Sequence, residues 1–187
     1  MKDTRQKILD ASLQLLGQTG LAGAGLNDLI ALSGAPRGSL YHHFPAGKEQ
    51  WVAEALRIYA DKFLAEGKEA LASAPSVGRA VGAILQRAAG RLEKREFDAG
   101  CPVAAVILDL DAEKEALRLL CLQIVEEWRA LLVAHLADRP DAPALADMII
   151  AGFEGAMMLA RMERSARPLL STAGYLEALI DRRPTAS

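Results

Sequence analysis

The sequence predicts an all-α protein: an N-terminal three-helix unit of helix-turn-helix type, followed by a larger helical domain. Three observations lead there. Residues 26–44, LNDLIALSGAPRGSLYHHF, read as a helix, a tight turn and a second short helix. Apolar residues recur at spacings of three and four in almost every segment between breaks. No β-branched run bounded by turn residues reads as a strand. The 187 residues are 51% hydrophobic but only 5% aromatic, so the expected core is aliphatic.

Residues 4–18 are amphipathic, with Ile8, Leu9, Leu13 and Leu16 on one side, and Gly20 ends the helix. In the second helix Asn27 is placed to cap the first turn, because its side-chain oxygen can accept a free N–H there. Leu29, Ile30 and Ala31 form the inward face. Ser33-Gly34 ends the helix, with glycine free to take a positive φ. Pro36 is expected at the first position of the third helix, where a missing N–H costs nothing. Leu40 and Phe44, four apart, anchor that helix on one side. Gly38, Ser39, Tyr41 and His42 then face outward, with Arg37 at the flank. A helix held by two apolar residues and otherwise shown to solvent suits entry into a major groove.

Residues 48–72 read as a long fourth helix with the stripe Trp51, Val52, Ala55, Leu56, Tyr59 and Phe63. No linker precedes it, so it is expected to act as a rigid lever between the two domains, divided as 1–47 and 48–187. Ala74-Pro75-Ser76 breaks the pattern. Val77 to Leu92 mark a fifth helix, Phe97–Gly100 a loop, and Pro102 the start of a short apolar helix. Residues 112–136 form a long helix, and Arg139 to Pro143 a firm break. Residues 144–166 form a helix that is apolar nearly all round and so should be buried on more than one side. Pro168 opens the last helix.

The segment Arg37-Gly38-Ser39-Leu40-Tyr41-His42-His43-Phe44, with Pro45 and Lys48-Glu49 after it and Gly34-Ala35-Pro36 before it, resembles the TetR family of transcriptional regulators. The form GLNDLIALSGAPRGSLYHHFPAGKEQ and the later Gly100-Cys101-Pro102-Val103 are similar to the LmrA-like subgroup. In one respect the chain departs from the commoner pattern: the step from Phe44 to Lys48 is one residue longer, which predicts an altered loop. The resemblance implies a repressor acting as a homodimer on a double-stranded, palindromic DNA operator and released by a small apolar or aromatic effector. DNA contacts are expected from Lys2, Arg5, Arg37, Gly38, Ser39, Tyr41, His42 and His43. The resemblance adds Asn27 and Lys48 as phosphate contacts. It also implies dimerisation through the last two long helices, for which Gly152, Gly155, Ala156, Leu159, Tyr175, Leu176 and Leu179 are the candidates.

Charge limits the mode of DNA binding. The net charge is −2, with +1 on residues 1–50 and −3 on the remainder. That argues against a general nucleic-acid coat and for local phosphate contacts made by two copies together. Two cysteines make no disulfide framework. Residues 1–10 carry no signal-peptide pattern, and the apolar stretches near 103–108 and 148–160 fall short of a membrane span. A cytoplasmic protein without membrane association is the expectation.

Candidate effector-cavity residues are Tyr59, Phe63, Phe97, Cys101, Trp128, Phe153, Met157 and Met158, since methionines and aromatics suit an adaptable apolar pocket. Cys101, near a helix start, also admits a redox-sensing role, against the plainer reading of a small buried hydrophobe. Adjacent His42 and His43 point about 100° apart on a helix and do not share a metal ion. No nucleophile elbow, phosphate loop or zinc-protease motif is present, so neither catalysis nor a cofactor is expected. The competing reading is a helical small-molecule carrier without DNA binding, which salt-sensitive DNA affinity would distinguish.

Overall fold

The computed structural model describes residues 3–182, and every regular element among them is an α-helix. In chain order these are α1 (Thr4–Gly23), α2 (Leu26–Ser33), α3 (Arg37–His43), α4 (Lys48–Ser73), α5 (Val77–Lys94), α6 (Pro102–Leu108), α7 (Glu115–His135), α8 (Ala142–Glu163) and α9 (Arg167–Asp181). Two compact units result. One comprises Met1–Asp61 and Ala99–Ile124, the other Lys62–Asp98 and Val125–Ser187. Both α4 and α7 therefore contribute residues to each unit. These packing units are drawn along different lines from the 47/48 division of roles expected from the sequence.

In the first unit α1 packs against α2, α3 and α6. Ile8, Leu9, Leu15 and Leu16 are buried, and the buried Ser12 hydroxyl donates to the Ile8 carbonyl at 2.7 Å. Gly20 interrupts α1 with φ 71°, after which the chain makes a further turn to Gly23. α6 is fastened to α1 at both ends. The Gly100 N–H donates to the Gly17 carbonyl at 2.9 Å, and the Asp109 carboxylate accepts the Ala22 N–H at 2.9 Å. A Cβ at residue 17 would come within 2.9 Å of the Gly100 carbonyl oxygen, so this approach needs glycine.

The helix-turn-helix differs from expectation at three residues. Gly25, not Asn27, is the N-cap of α2, and Asn27 instead accepts a hydrogen bond from the Arg37 guanidinium. Ala31 is exposed, since only Leu29 is fully buried on that helix. Pro36 lies just before α3: its ψ of 141° is extended and its carbonyl accepts the Ser39 N–H, which makes it the N-cap. The turn itself is as expected. Gly34 is left-handed at φ 63°, and its N–H reaches the Ile30 carbonyl.

In the second unit α5 packs on α8 and α9. Val81, Leu85, Ala88 and Leu92 meet Ala146, Ile149, Phe153, Leu169, Ala173 and Leu176 in one apolar core. Ser76 caps α5 by accepting the Arg79 N–H at 3.2 Å. Asp181, at the end of α9, accepts from the Ser76 hydroxyl at 2.7 Å and from the Gly78 N–H at 3.0 Å. Arg139 pairs with Asp141 and donates to the carbonyls of Ile180 and Arg182, both at 2.9 Å. That guanidinium satisfies carbonyls left open where α9 stops.

Two boundaries are shorter than the sequence predicts. α7 begins at Glu115 because Asp111 turns the chain before it, accepting the Glu113 N–H at 3.0 Å. α8 ends at Glu163 because Arg164 adopts φ 48°. At 22 residues and mean hydropathy 1.4, α8 is also long and apolar enough to cross a membrane by length and composition, contrary to the expectation from its 148–160 stretch. Within the fold its buried residues, among them Leu145, Ile149, Phe153 and Ala160, belong to the core of the second unit.

Candidate nucleic-acid interface and ligand cavity

α3 keeps a single fully buried residue, Leu40, as α2 keeps Leu29, and is otherwise exposed or half-buried. Leu40 and Phe44 hold it, at 2% and 1% exposure. Arg37, Gly38, Tyr41 and His42 are exposed, while Ser39 and His43 are half-buried. Tyr41 shows 54% of its surface. A Cβ added at Gly38 would meet nothing within 4 Å, and Gly38 carries no positive φ. Nothing inside the protein therefore calls for glycine there. Arg37 is the one Lys or Arg residue on α3.

The neighbouring candidates are engaged within the unit. Arg5 sits in the first turn of α1, not in an extended arm; it pairs with Glu54, and its guanidinium lies 5.5 Å from the centre of the Phe44 ring. That arrangement braces α3 from behind. The Lys48 ammonium donates to the Leu21 carbonyl at 2.6 Å. Burial there, with the charge of Lys114 nearby, lowers its pKa from the ordinary lysine value, against the opposing pull of Asp109. Lys48 is thus a tie between α4 and the end of α1. His43 stacks edge-on against His42 and Phe44, with ring centres 5.2 and 6.4 Å away. Lys2 lies outside the described residues.

The longer step from Phe44 to Lys48 closes as a compact turn. Gly47 takes φ 79°, its N–H reaches the Phe44 carbonyl at 3.0 Å, and the Gln50 side chain accepts the Ala46 N–H at 2.9 Å. The extra residue is absorbed by a left-handed glycine, and the Gln50 side chain ties the loop to the first turn of α4.

The second unit contains an apolar cavity of about 60 Å³. Phe63 from α4, Trp128 from α7 and Phe153 from α8 form its aromatic side, with ring centres 4.9 Å apart for Phe63–Trp128 and 5.5 Å for Phe63–Phe153. Glu154 is the single charged residue in its wall. Among the described residues, the Trp128 indole N–H is the one buried side-chain polar group without a hydrogen-bond partner. The other cavity candidates lie elsewhere. Tyr59 and Cys101 belong to the first unit. Phe97 packs on the core without reaching the cavity, Met157 is core, and Met158 is 64% exposed.

Cys101 is 4% exposed at the N-terminal boundary of α6, and Cys121 is 2% exposed; neither is in a disulfide. Burial pushes the Cys121 thiol up to about 11. Among the described residues no cluster of metal-ligating side chains occurs.

The dimer candidates divide by exposure. Leu159, Tyr175 and Leu179 are exposed, at 40%, 80% and 40%. Gly155 is open to space. Ala156 and Leu176 are instead in the core of their own unit, and Gly152 backs onto Leu176 and Thr172. Further apolar side chains stand exposed on the same helices: Met148 and Met162 of α8 are 53% and 72% exposed, and Leu170 of α9 is 49% exposed.

Comparison with known proteins places these features. A family model described as bacterial regulatory proteins of the tetR family matches residues 8–55. A second, described as the C-terminal domain of LmrA/YxaF-like transcriptional regulators, matches residues 77–175. The HTH-type transcriptional regulator LmrA of Bacillus subtilis is 32% identical, over 96% of this chain and 98% of its own. A regulatory protein TetR from Rhodobacter sphaeroides superposes with a TM-score of 0.84 at 21% identity, covering 92% of this chain and 96% of its own. The TetR family regulator CifR, solved as a cysteine mutant complexed with 26-bp operator DNA, gives 0.79 at 24% identity, with 92% and 94% covered.

Proposed function

The chain belongs to the TetR family of DNA-binding transcriptional regulators, with an LmrA/YxaF-like C-terminal domain, and from that premise we propose that it is an effector-released repressor acting as a homodimer. In this reading two copies of α3 enter successive major grooves of a palindromic operator, about 34–36 Å apart. Arg37 contacts a guanine edge or a phosphate, Tyr41 a phosphate or a thymine methyl, and His42 a phosphate. Gly38 lets the helix backbone approach the DNA closely.

The observation that carries the proposal is the construction of α3. Two buried side chains anchor it, while Arg37, Gly38, Tyr41 and His42 are exposed, Arg37 touching Asn27 and His42 the His43 ring within the same motif. A surface so arranged has its explanation outside the molecule.

Dimerisation is assigned to the exposed apolar side chains Met148, Leu159 and Met162 on one face of α8 and Tyr175 and Leu179 on α9. A single module with one basic residue on its reading helix has little phosphate affinity, and two linked copies supply what one lacks.

Effector release is assigned to the cavity. At about 60 Å³ it is smaller than the roughly 150 Å³ void that accepts benzene in an engineered protein. A ring-sized effector therefore has to displace lining side chains, Phe63 among them. Phe63 is on α4, whose first turns carry Trp51, Val52 and Leu56 into the core of the reading unit. An effector that favours the widened cavity shifts the population toward a dimer with the wrong spacing of reading helices.

The test is footprinting of the DNA flanking the chain's own gene. Protection of a palindrome with half-sites one helical turn apart is the expected result. Absence of any protected site would refute the repressor reading.

A further inference from the structure

We infer that Asn27 is a positioning residue for sequence reading: it holds the Arg37 guanidinium in place for a bidentate contact to a guanine edge, so that this pair specifies one guanine in each half-site. The inference rests on the reading of α3 as the element that enters the major groove and deepens it.

Arg37 is the first residue of α3 and Asn27 the second of α2, and both are exposed. Docking of a helix-turn-helix brings the N-terminal residues of its second helix to the base edges, and Arg37 holds that position. Its Nη2 donates to the Asn27 side-chain oxygen. Asn27 is available for this bond because Gly25 occupies the N-cap of α2. Asp28, the adjacent acid, is turned back over that cap: a Cβ at Gly25 would come within 2.8 Å of its carboxylate. Nη2 carries two hydrogens, one belonging to each two-donor fork of the guanidinium. Whichever of them faces Asn27, the other fork stays whole, and a whole fork matches the O6 and N7 acceptors of guanine. Base reading needs the guanidinium in the plane of a base pair, whereas a phosphate accepts from many directions. A fixed orientation therefore serves the first far more than the second. The anchor is an amide rather than a carboxylate, which orients the cation without cancelling its charge. The helix itself gains nothing from a cation at its first position, since the free N–H groups there favour anions.

The test begins with the full chain selecting duplexes from a randomised pool. Anisotropy then measures binding to the selected site and to versions with each G·C pair changed to A·T. Arg37→Ala locates the guanine: discrimination there, roughly 5- to 150-fold in the wild type, should collapse. Asn27→Ala should lose discrimination at least severalfold at that same pair, with the preferences at the other pairs kept. In the double variant Asn27→Ala/Arg37→Ala it should add nothing to the loss from Arg37→Ala. Asn27→Asp, which still holds the guanidinium but neutralises it, should restore the discrimination while weakening binding to every duplex and flattening its salt dependence. Unchanged discrimination in Asn27→Ala would overturn the inference and leave the repressor reading standing. So would uniform weakening of all duplexes by Arg37→Ala, which would make Arg37 a phosphate contact. Selection of no sequence by the wild type would remove the inference together with the repressor reading.

Discussion

The carboxylate of Asp109 accepts the backbone N–H of Ala22 at 2.9 Å, across 87 positions of sequence. Gly20, two residues earlier, has φ 71°, and a Cβ there would overlap the same carboxylate. The segment after α6 thus locks onto the end of α1 immediately before the helix-turn-helix begins. Lys48 reaches the Leu21 carbonyl from the other side. The end of α1 is held by one acid and one base from two distant parts of the chain.

Asp109→Ala should lower stability by about 1 kcal/mol, since the Ala22 N–H is exposed and water replaces the lost partner. For a chain of this size that is a fall in Tm of roughly 2–4 °C. Gly20→Ala should cost more, about 1–3 kcal/mol, because the positive φ and the carboxylate both oppose a side chain. Thermal melts measure both. DNA affinity should fall with them.

Gly38→Ala should separate stability from function. Nothing crowds the position and its backbone is helical, so alanine should stabilise the protein by roughly 0.5–1 kcal/mol. Operator affinity should drop at least severalfold because the new methyl group keeps the backbone off the DNA. A variant that is more stable and binds DNA equally well would show that α3 does not approach through Gly38.

Tyr175→Asp should produce a folded monomer. Tyr175 is 80% exposed in its own chain, so the substitution costs the isolated fold little. Light scattering should show half the wild-type mass, with the helical circular dichroism preserved. Ala156 and Leu176 are unsuitable for this test because each packs inside its own unit.

The thiols supply a pH prediction. The Cys121 pKa is raised by burial from 9.0 to about 11, so the folded protein holds a proton that the unfolded chain releases earlier. This contribution to stability is complete below pH 9 and is lost as the pH climbs from about 9 to about 11. Denaturant titrations across that window should show a steeper decline for the wild type than for Cys121→Ala. Ellman's reagent should modify Cys101 and Cys121 only slowly until the chain unfolds, since both are buried. A Cys101→Ser protein should answer peroxide in a DNA-binding assay no differently from the wild type.

Much of this was legible in the residues. The paired spacing of Leu40 and Phe44, the left-handed turn at Gly34 and the breaks at Pro75 and Pro140 are local signals, and local physics decides them; Pro143 instead sits in the first turn of α8. Asn27 misled because its capping chemistry is real, but a long-range partner, Arg37, took its oxygen. The face of α8 could not be chosen from sequence, since a helix apolar all round has no periodicity to orient it; hence Ala156 turned inward while Met148 and Met162 turned out. The Asp109–Ala22 bond and the Arg139 clamp left no pattern at all, because each joins a loop residue to a backbone group far along the chain. The three cavity aromatics were found by type, and five other candidates of the same kinds were not separable from them without coordinates.

The most direct test is a salt titration of binding to a fluorescently labelled fragment of the DNA beside the chain's own gene, followed by anisotropy for the wild type and Tyr41→Ala. The account predicts tight, sequence-selective binding whose affinity falls steeply with salt, and a large loss in Tyr41→Ala with the dimer intact. Failure of the wild type to bind even at low salt would contradict it and return the chain to a small-molecule carrier.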